Sequence, residues 1–123
     1  MHQKAGRIYR VTRRRDVERI FADGVSARDR MVTLLAVPNG LPRARCGVAV
    51  SKRHGSAVQR NRIKRLCREA FRLSREQTPV GWDYMLIPRV GAKLALADLR
   101  ASVSALAGRV ARGERAAGKG QVT

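Results

Sequence analysis

The residues of this chain best equipped for chemistry are cations. Arg60, Arg62, Lys64, Arg65, Arg68 and Arg72 crowd one stretch, and Asn61 sits among them. A guanidinium can fork onto a phosphate, while an amide can bond a base edge or a ribose hydroxyl. At helical spacing Ile63, Leu66, Cys67, Ala70 and Phe71 fall together. Asn61, Lys64, Arg65, Arg68 and Arg72 fall roughly opposite, with Arg60 and Arg62 flanking them. One face therefore packs and the other carries positive charge over about 18 Å, at a rise of about 1.5 Å per residue. Like charges at i, i+4, as in Lys64 with Arg68 and Arg68 with Arg72, cost a helix about 0.2–0.5 kcal/mol each, and Glu69 alone offers local relief. A bound phosphate backbone would remove that penalty. A plain solvated face is the alternative, but such faces normally mix both signs.

Other chemistry is poorly supplied. The histidines, His2 and His54, have no evident partner for acid–base work, and the 9 carboxylates are scattered. Asp16 and Glu18 point to different sides of a helix, so no two-metal cluster is visible. The expectation is that the chain has no catalytic residue, no metal site and no cofactor of its own. Cys46 and Cys67 lack a CxxC partner or a neighbouring histidine and read as reduced core residues.

Composition agrees with a polyanion partner. The chain has 123 residues with 27 Lys and Arg against 9 Asp and Glu, a formal charge of +18. Nucleic acid is the obvious ligand class, bound more weakly as salt rises because condensed counterions are released on binding. A membrane surface is a weaker alternative. No apolar run approaches the roughly 20 residues of a spanning helix, and MHQKAGRIYR lacks a signal-peptide core. A cytoplasmic protein, monomeric when alone and not bound to membrane, is expected.

The elements that must position these residues are legible in outline. Residues 1–12 read as a basic flexible arm, 13–112 as one domain and 113–123 as a disordered tail. Val17, Ile20 and Phe21 form the apolar stripe of a first helix over 13–23, stopped by Gly24. Strands are expected at 31–37, before Pro38-Asn39-Gly40, and at 45–52. In the second, Gly47, Ala49 and Ser51 make one face small enough for a helix or ligand to approach closely. Gly55-Ser56 turns the chain into the cationic helix over 58–73, and a strand at 83–89 and a helix at 96–112 follow. Trp82 has no assignable role. Helices covering a small sheet in an α+β sandwich are the natural architecture.

The run Arg60 to Phe71 (RNRIKRLCREAF) resembles the signature helix of the bacterial ribonuclease P protein family. Gly47 to Arg53 (GVAVSKR) is similar to the family's preceding strand, Gly55 to Val58 to its connecting turn, and Asp16 to Gly24 (DVERIFADG) to its first helix. The likeness covers most of residues 7–89 in the family's order. It implies a single-domain α+β sandwich with a small mixed sheet, the order α-β-β-β-α-β-α, and a left-handed βαβ crossover against the usual hand. That fold is shared with a ribosomal-protein domain, so motif rather than fold carries the functional expectation.

The resemblance implies a non-catalytic protein subunit of ribonuclease P, an endoribonuclease whose RNA is the catalyst and requires Mg²⁺. Its partners would be ribonuclease P RNA and the 5′ leader of precursor tRNA. It nominates Lys52, Arg53, Arg60, Asn61, Arg62, Lys64, Arg65 and Arg68 for the catalytic RNA, although Asn61 could instead brace its neighbouring arginines. For the leader it nominates a cleft between sheet and first helix, with Phe21 at a family aromatic position. Val17 and Leu35 stand where the family often has aromatics, so stacking would be weaker than usual. Val17, Leu35 and Leu86 could line the cleft or be plain core, as could Phe21, and Arg13, Arg14, Arg15 and Arg28 could add phosphate contacts. A ribosomal protein fits composition equally well; the strand-turn-helix motif disfavours it. The loops do not resemble helix-turn-helix or zinc-finger DNA binders, and the aromatic strand signatures of an RNA-recognition motif are absent.

Overall fold

The computed structural model describes residues 8–113. Most of the expected arm (1–7, with His2) and nearly all of the expected tail (114–123) lie outside the described residues. The elements are α1 (Arg14–Asp23), β1 (Val25–Arg28), β2 (Val32–Pro38), β3 (Arg45–Val48), α2 (Ala57–Leu73), β4 (Trp82–Pro88) and α3 (Leu96–Ala111). This is the order α-β-β-β-α-β-α. The four strands lie in the order β1-β2-β4-β3. Both pairings of β2 are antiparallel, whereas β3 and β4 are parallel and joined through α2.

The sheet separates two apolar layers. Val32, Leu34 and Ala36 of β2 and Tyr84 and Leu86 of β4 face α2 and α3, where they meet Cys67, Phe71, Leu99, Val103 and Leu106. Strand alternation sends Leu35, Val37, Met85 and Ile87 to the other side, beneath α1, whose Ile20 is fully buried. Helices thus cover both faces, but α1 is short and leaves part of its face open.

Local chemistry explains the joints. Gly24 ends α1 in extended backbone; a Cβ there would sit 2.4 Å from the Ile20 carbonyl oxygen, so the glycine serves close approach rather than a left-handed turn. Gly55 does need glycine, with φ of 115°. Ser56 then caps α2 reciprocally: its hydroxyl accepts from the Gln59 N–H at 3.2 Å, and the Gln59 side chain accepts from the Ser56 N–H at 2.7 Å.

Three expectations need adjustment. β1 has no counterpart among the strands read from the residues, because Val25–Arg28 is only 4 residues long and carries no strong alternation. β3 ends at Val48 rather than Lys52, since Ser51 caps a 3₁₀ turn over Lys52–His54. The arm gives way to ordered chain earlier than residue 13. Tyr9–Val11 runs parallel to β3: the Cys46 N–H donates to the Tyr9 carbonyl at 2.9 Å, the Val11 N–H donates to the Cys46 carbonyl at 3.0 Å, and Val11 is buried.

Candidate nucleic-acid interface

The cations of α2 do not form one uniform face. Asn61, Lys64, Arg65 and Arg68 line a groove of about 490 Å³ whose far wall is Tyr9 and Arg10. Arg62 is on the other flank, beside Arg53 and Arg89, in a second groove of about 450 Å³ floored by Ile63, Leu66 and Leu94. Lys52 and Arg53 are exposed on the 3₁₀ turn. Arg60 is half-buried and donates to the Gly55 carbonyl at 2.8 Å, so part of its guanidinium holds the entry to α2. Arg72 clasps Glu69 through two hydrogen bonds, which hold the Glu69 carboxyl below its ordinary range.

Sequence reasoning missed how the turn before α2 is fixed. His54 Nδ1 accepts from the Ser51 N–H at 3.0 Å, and Nε2 lies 2.8 Å from the Pro88 carbonyl oxygen. A carbonyl can only accept, so Nε2 donates to it while Nδ1 accepts from Ser51. Nδ1 thus closes the cationic turn on itself, and Nε2 ties that turn to the end of β4.

On the opposite face, α1 and the sheet make the expected cleft. Phe21 is 50% exposed, and Ile20 beside it fills the core instead, which decides the choice between surface and core for the aromatic ring. Val17 and Leu35 are half-buried along the same cleft. Leu86 does not belong there. Its register partner is Leu34, and it is fully buried against α2 and α3. Met85, opposite Leu35, and Ile87, opposite Thr33, hold the place that had been given to it. Gly47 lies opposite Met85, and a Cβ there would come within 2.9 Å of the Met85 methyl. The small face foreseen for β3 is thus used to seat a thioether.

The basic residues nominated around the cleft are exposed. Arg13 precedes α1, Arg14 pairs with Glu18 at 3.3 Å, and Arg28 pairs with Thr33 on the cleft side of β1. Arg10 and Arg68 line both the inner end of the cleft and the α2 groove, so the two concavities adjoin.

A buried ion cluster fixes α1 and its cleft against the sheet. Arg45 donates from Nε to Asp83 Oδ1 at 2.8 Å and from Nη2 to Oδ2 at 2.7 Å. Asn39 donates to the same carboxylate at 2.9 Å, and Arg19 of α1 approaches it at 3.5 Å. Arg45 also reaches Asp16 of α1 at 3.4 Å. Burial works to raise the Asp83 carboxyl, but the Arg45 and Asn39 hydrogen bonds and the two arginine charges outweigh it, so the group is held below its ordinary value.

With this geometry, comparison with known proteins is decisive. The ribonuclease P family model matches residues 6–111. The chain belongs to the ribonuclease P protein family. It is 41% identical over 102 residues to the ribonuclease P protein component of Roseiflexus castenholzii, covering 81% of this chain and 84% of the relative. To that of Caldanaerobacter subterraneus it is 34% identical over 92 residues, covering 75% and 78%. Among solved structures, the ribonuclease P protein from Thermotoga maritima superposes with a TM-score of 0.74 at 31% identity, covering 81% of this chain and 96% of that one. A Staphylococcus aureus ribonuclease P protein mutant, described as defective in mRNA degradation, gives 0.76 at 28% identity, covering 90% and 94%.

A ribonuclease P protein is a component of an endoribonuclease complex that processes tRNA, in association with ribonuclease P RNA. In this one, Cys46 and Cys67 are free and buried, and burial pushes the Cys67 thiol up to about 12 and that of Cys46 higher still. Among the described residues no group of His, Cys, Asp or Glu could hold a metal ion, and no helix is long and apolar enough to cross a membrane.

Proposed function

We propose that this ribonuclease P protein binds the catalytic RNA through α2 and the turn before it, and the 5′ leader of precursor tRNA through the cleft beneath α1. The observation that carries the reading is the adjacency of a cation-lined groove and an apolar cleft, meeting at Arg10 and Arg68. Lys52, Arg53, Arg62, Lys64, Arg65 and Arg68 supply phosphate contacts, and Asn61 a polar contact from the same helix. Arg60 contributes chiefly by holding the start of α2. Phe21 stacks on a leader base, Val17, Leu35, Met85 and Ile87 give it an apolar floor, and Arg13, Arg14 and Arg28 stand at the rim. Catalysis and the Mg²⁺ requirement belong to the RNA. The protein adds substrate affinity and screens repulsion between two polyanions. The protein alone is a monomer acting in the cytoplasm.

The test mixes purified protein with a bacterial ribonuclease P RNA and labelled precursor tRNA at low Mg²⁺, where the RNA alone is slow. Leader release that needs both components is expected. Tight RNA binding without stimulation would favour a ribosomal or general RNA-binding role, and cleavage by protein alone would overturn the assignment of catalysis.

A further inference from the structure

The groove along α2 has a second wall that the family resemblance leaves out. Tyr9 and Arg10, bridged onto β3, face α2 across it, and Arg75, from the 3₁₀ turn after α2, lines it with them. We infer that this groove is a built site for backbone phosphates of the partner RNA, with Arg10 and Arg75 as phosphate ligands from outside α2 and Tyr9 as the residue that positions Arg75. The inference rests on reading α2 as an RNA-binding helix.

Charge is the first argument. Arg10, Lys64, Arg65, Arg68, Arg72 and Arg75 all line the groove. The sole carboxylate among the lining residues is Glu69, and Arg72 already holds both its oxygens. The remaining cations have no ion pair among the described residues. Lys64 to Arg72 spans about 12 Å of helix axis, which one small anion cannot bridge and a run of phosphates can. The volume of about 490 Å³ lies within the range of about 300–1,000 Å³ usual for ligand-sized sites.

Preorganisation is the second. The Arg75 guanidinium carbon stands 3.6 Å from the centre of the Tyr9 ring, and its buried Nε has no hydrogen-bond partner. Stacking, not a protein acceptor at Nε, sets the plane of the fork. A guanidinium held in this way loses less freedom when it takes a phosphate than one free in solvent. An adjoining anion would also offset the cost of leaving that N–H unsatisfied.

The experiment measures affinity for ribonuclease P RNA across a salt series, using the full chain and Arg75→Gln, Arg75→Lys, Tyr9→Leu and, on the other flank, Arg62→Gln. Arg75→Gln is expected to bind about tenfold more weakly with a salt slope lower by about one. Arg75→Lys keeps the charge but loses fork and stack; it should bind about as weakly as Arg75→Gln with the slope unchanged. Tyr9→Leu should follow Arg75→Lys. Thermal midpoints of the two Arg75 variants are read in parallel, and a large fall there would assign Arg75 to structure and overturn the proposal. So would wild-type affinity in Arg75→Gln, or in Arg75→Lys, which would reduce the residue to bulk charge. If Arg62→Gln alone weakens binding, the α2 reading survives and this groove fails. If wild-type protein prefers ribonuclease P RNA no more than unrelated RNA, the underlying reading fails instead.

Discussion

The α2 groove and the α1 cleft lie next to each other and are built on opposite plans. Along α2 the apolar body is turned inward, and what solvent meets is guanidinium and ammonium. Under α1 the surface is the exposed Phe21 with the half-buried Val17, Leu35 and Ile87 above a buried Met85, and charge stands mainly at the rim. A charged wall gives reach and salt dependence, whereas an apolar cleft acts only at contact and is almost indifferent to salt. On the proposed reading, one small domain would thus hold a folded RNA by its phosphates and an unpaired strand by its bases.

Variants that separate the two regions put this contrast at risk. Leu86→Ala has the largest expected effect, about 3 kcal/mol lost in urea denaturation with the cleft lining intact, because it removes buried methyl groups beneath α2 and α3. If it instead lowers leader affinity at unchanged stability, the assignment of faces is wrong. Asp83→Asn comes next. It strips the charge that Arg45 and Arg19 share and should cost about 2–3 kcal/mol, loosening α1 and the cleft before the α2 groove. Its pH signature follows from the sign of the shift. A carboxyl held low in the folded state stabilises fully above its unfolded value of about 4 and loses that contribution as pH falls through the folded value. Wild-type stability should thus decline below about pH 4, with a shallower decline in Asp83→Asn; parallel acid limbs would remove Asp83 from that role.

Smaller effects address binding directly. Phe21→Ala should reduce affinity for precursor tRNA by about 1–2 kcal/mol, with little change for mature tRNA and little loss of stability, since half the residue is already exposed. Equal losses for both RNAs would return the ring to a structural role. Arg65→Ala should weaken ribonuclease P RNA binding about fivefold and lower the salt slope by about one, at unchanged thermal midpoint. A salt-independent loss would mean that Arg65 is not on a phosphate.

Helices were legible because their signals are redundant: α2 and α3 each repeat an apolar stripe over several turns, α1 carries one over little more than a turn before Gly24, and Ser56 marks the start of α2. Strands were less so. After Asp83 the segment YMLIP is apolar throughout, so its sequence does not say which residues face α1, and only pairing with β2 puts Met85 and Ile87 there and Leu86 opposite. β1 and the Tyr9–Val11 pairing are too short to carry a period of their own. The helical wheel separated the packed side of α2 from its cations, but the division of Arg62 from Arg65 and Arg68 depends on what stands beside the helix. Asp83 was the least visible, because its partners Asn39, Arg45 and Arg19 come together only in the folded sheet.

Met85, seated over Gly47 and buried under the cleft, bears on which leaders the proposed site would accept. An unbranched thioether is polarizable and changes rotamer at little cost, so the lining above it can adjust to a purine or a pyrimidine alike. A cleft resting on such a floor has no rigid template against which one base could be preferred. Its tolerance is a property of the seat, and leaders differing in sequence but not in length should be held with nearly equal strength.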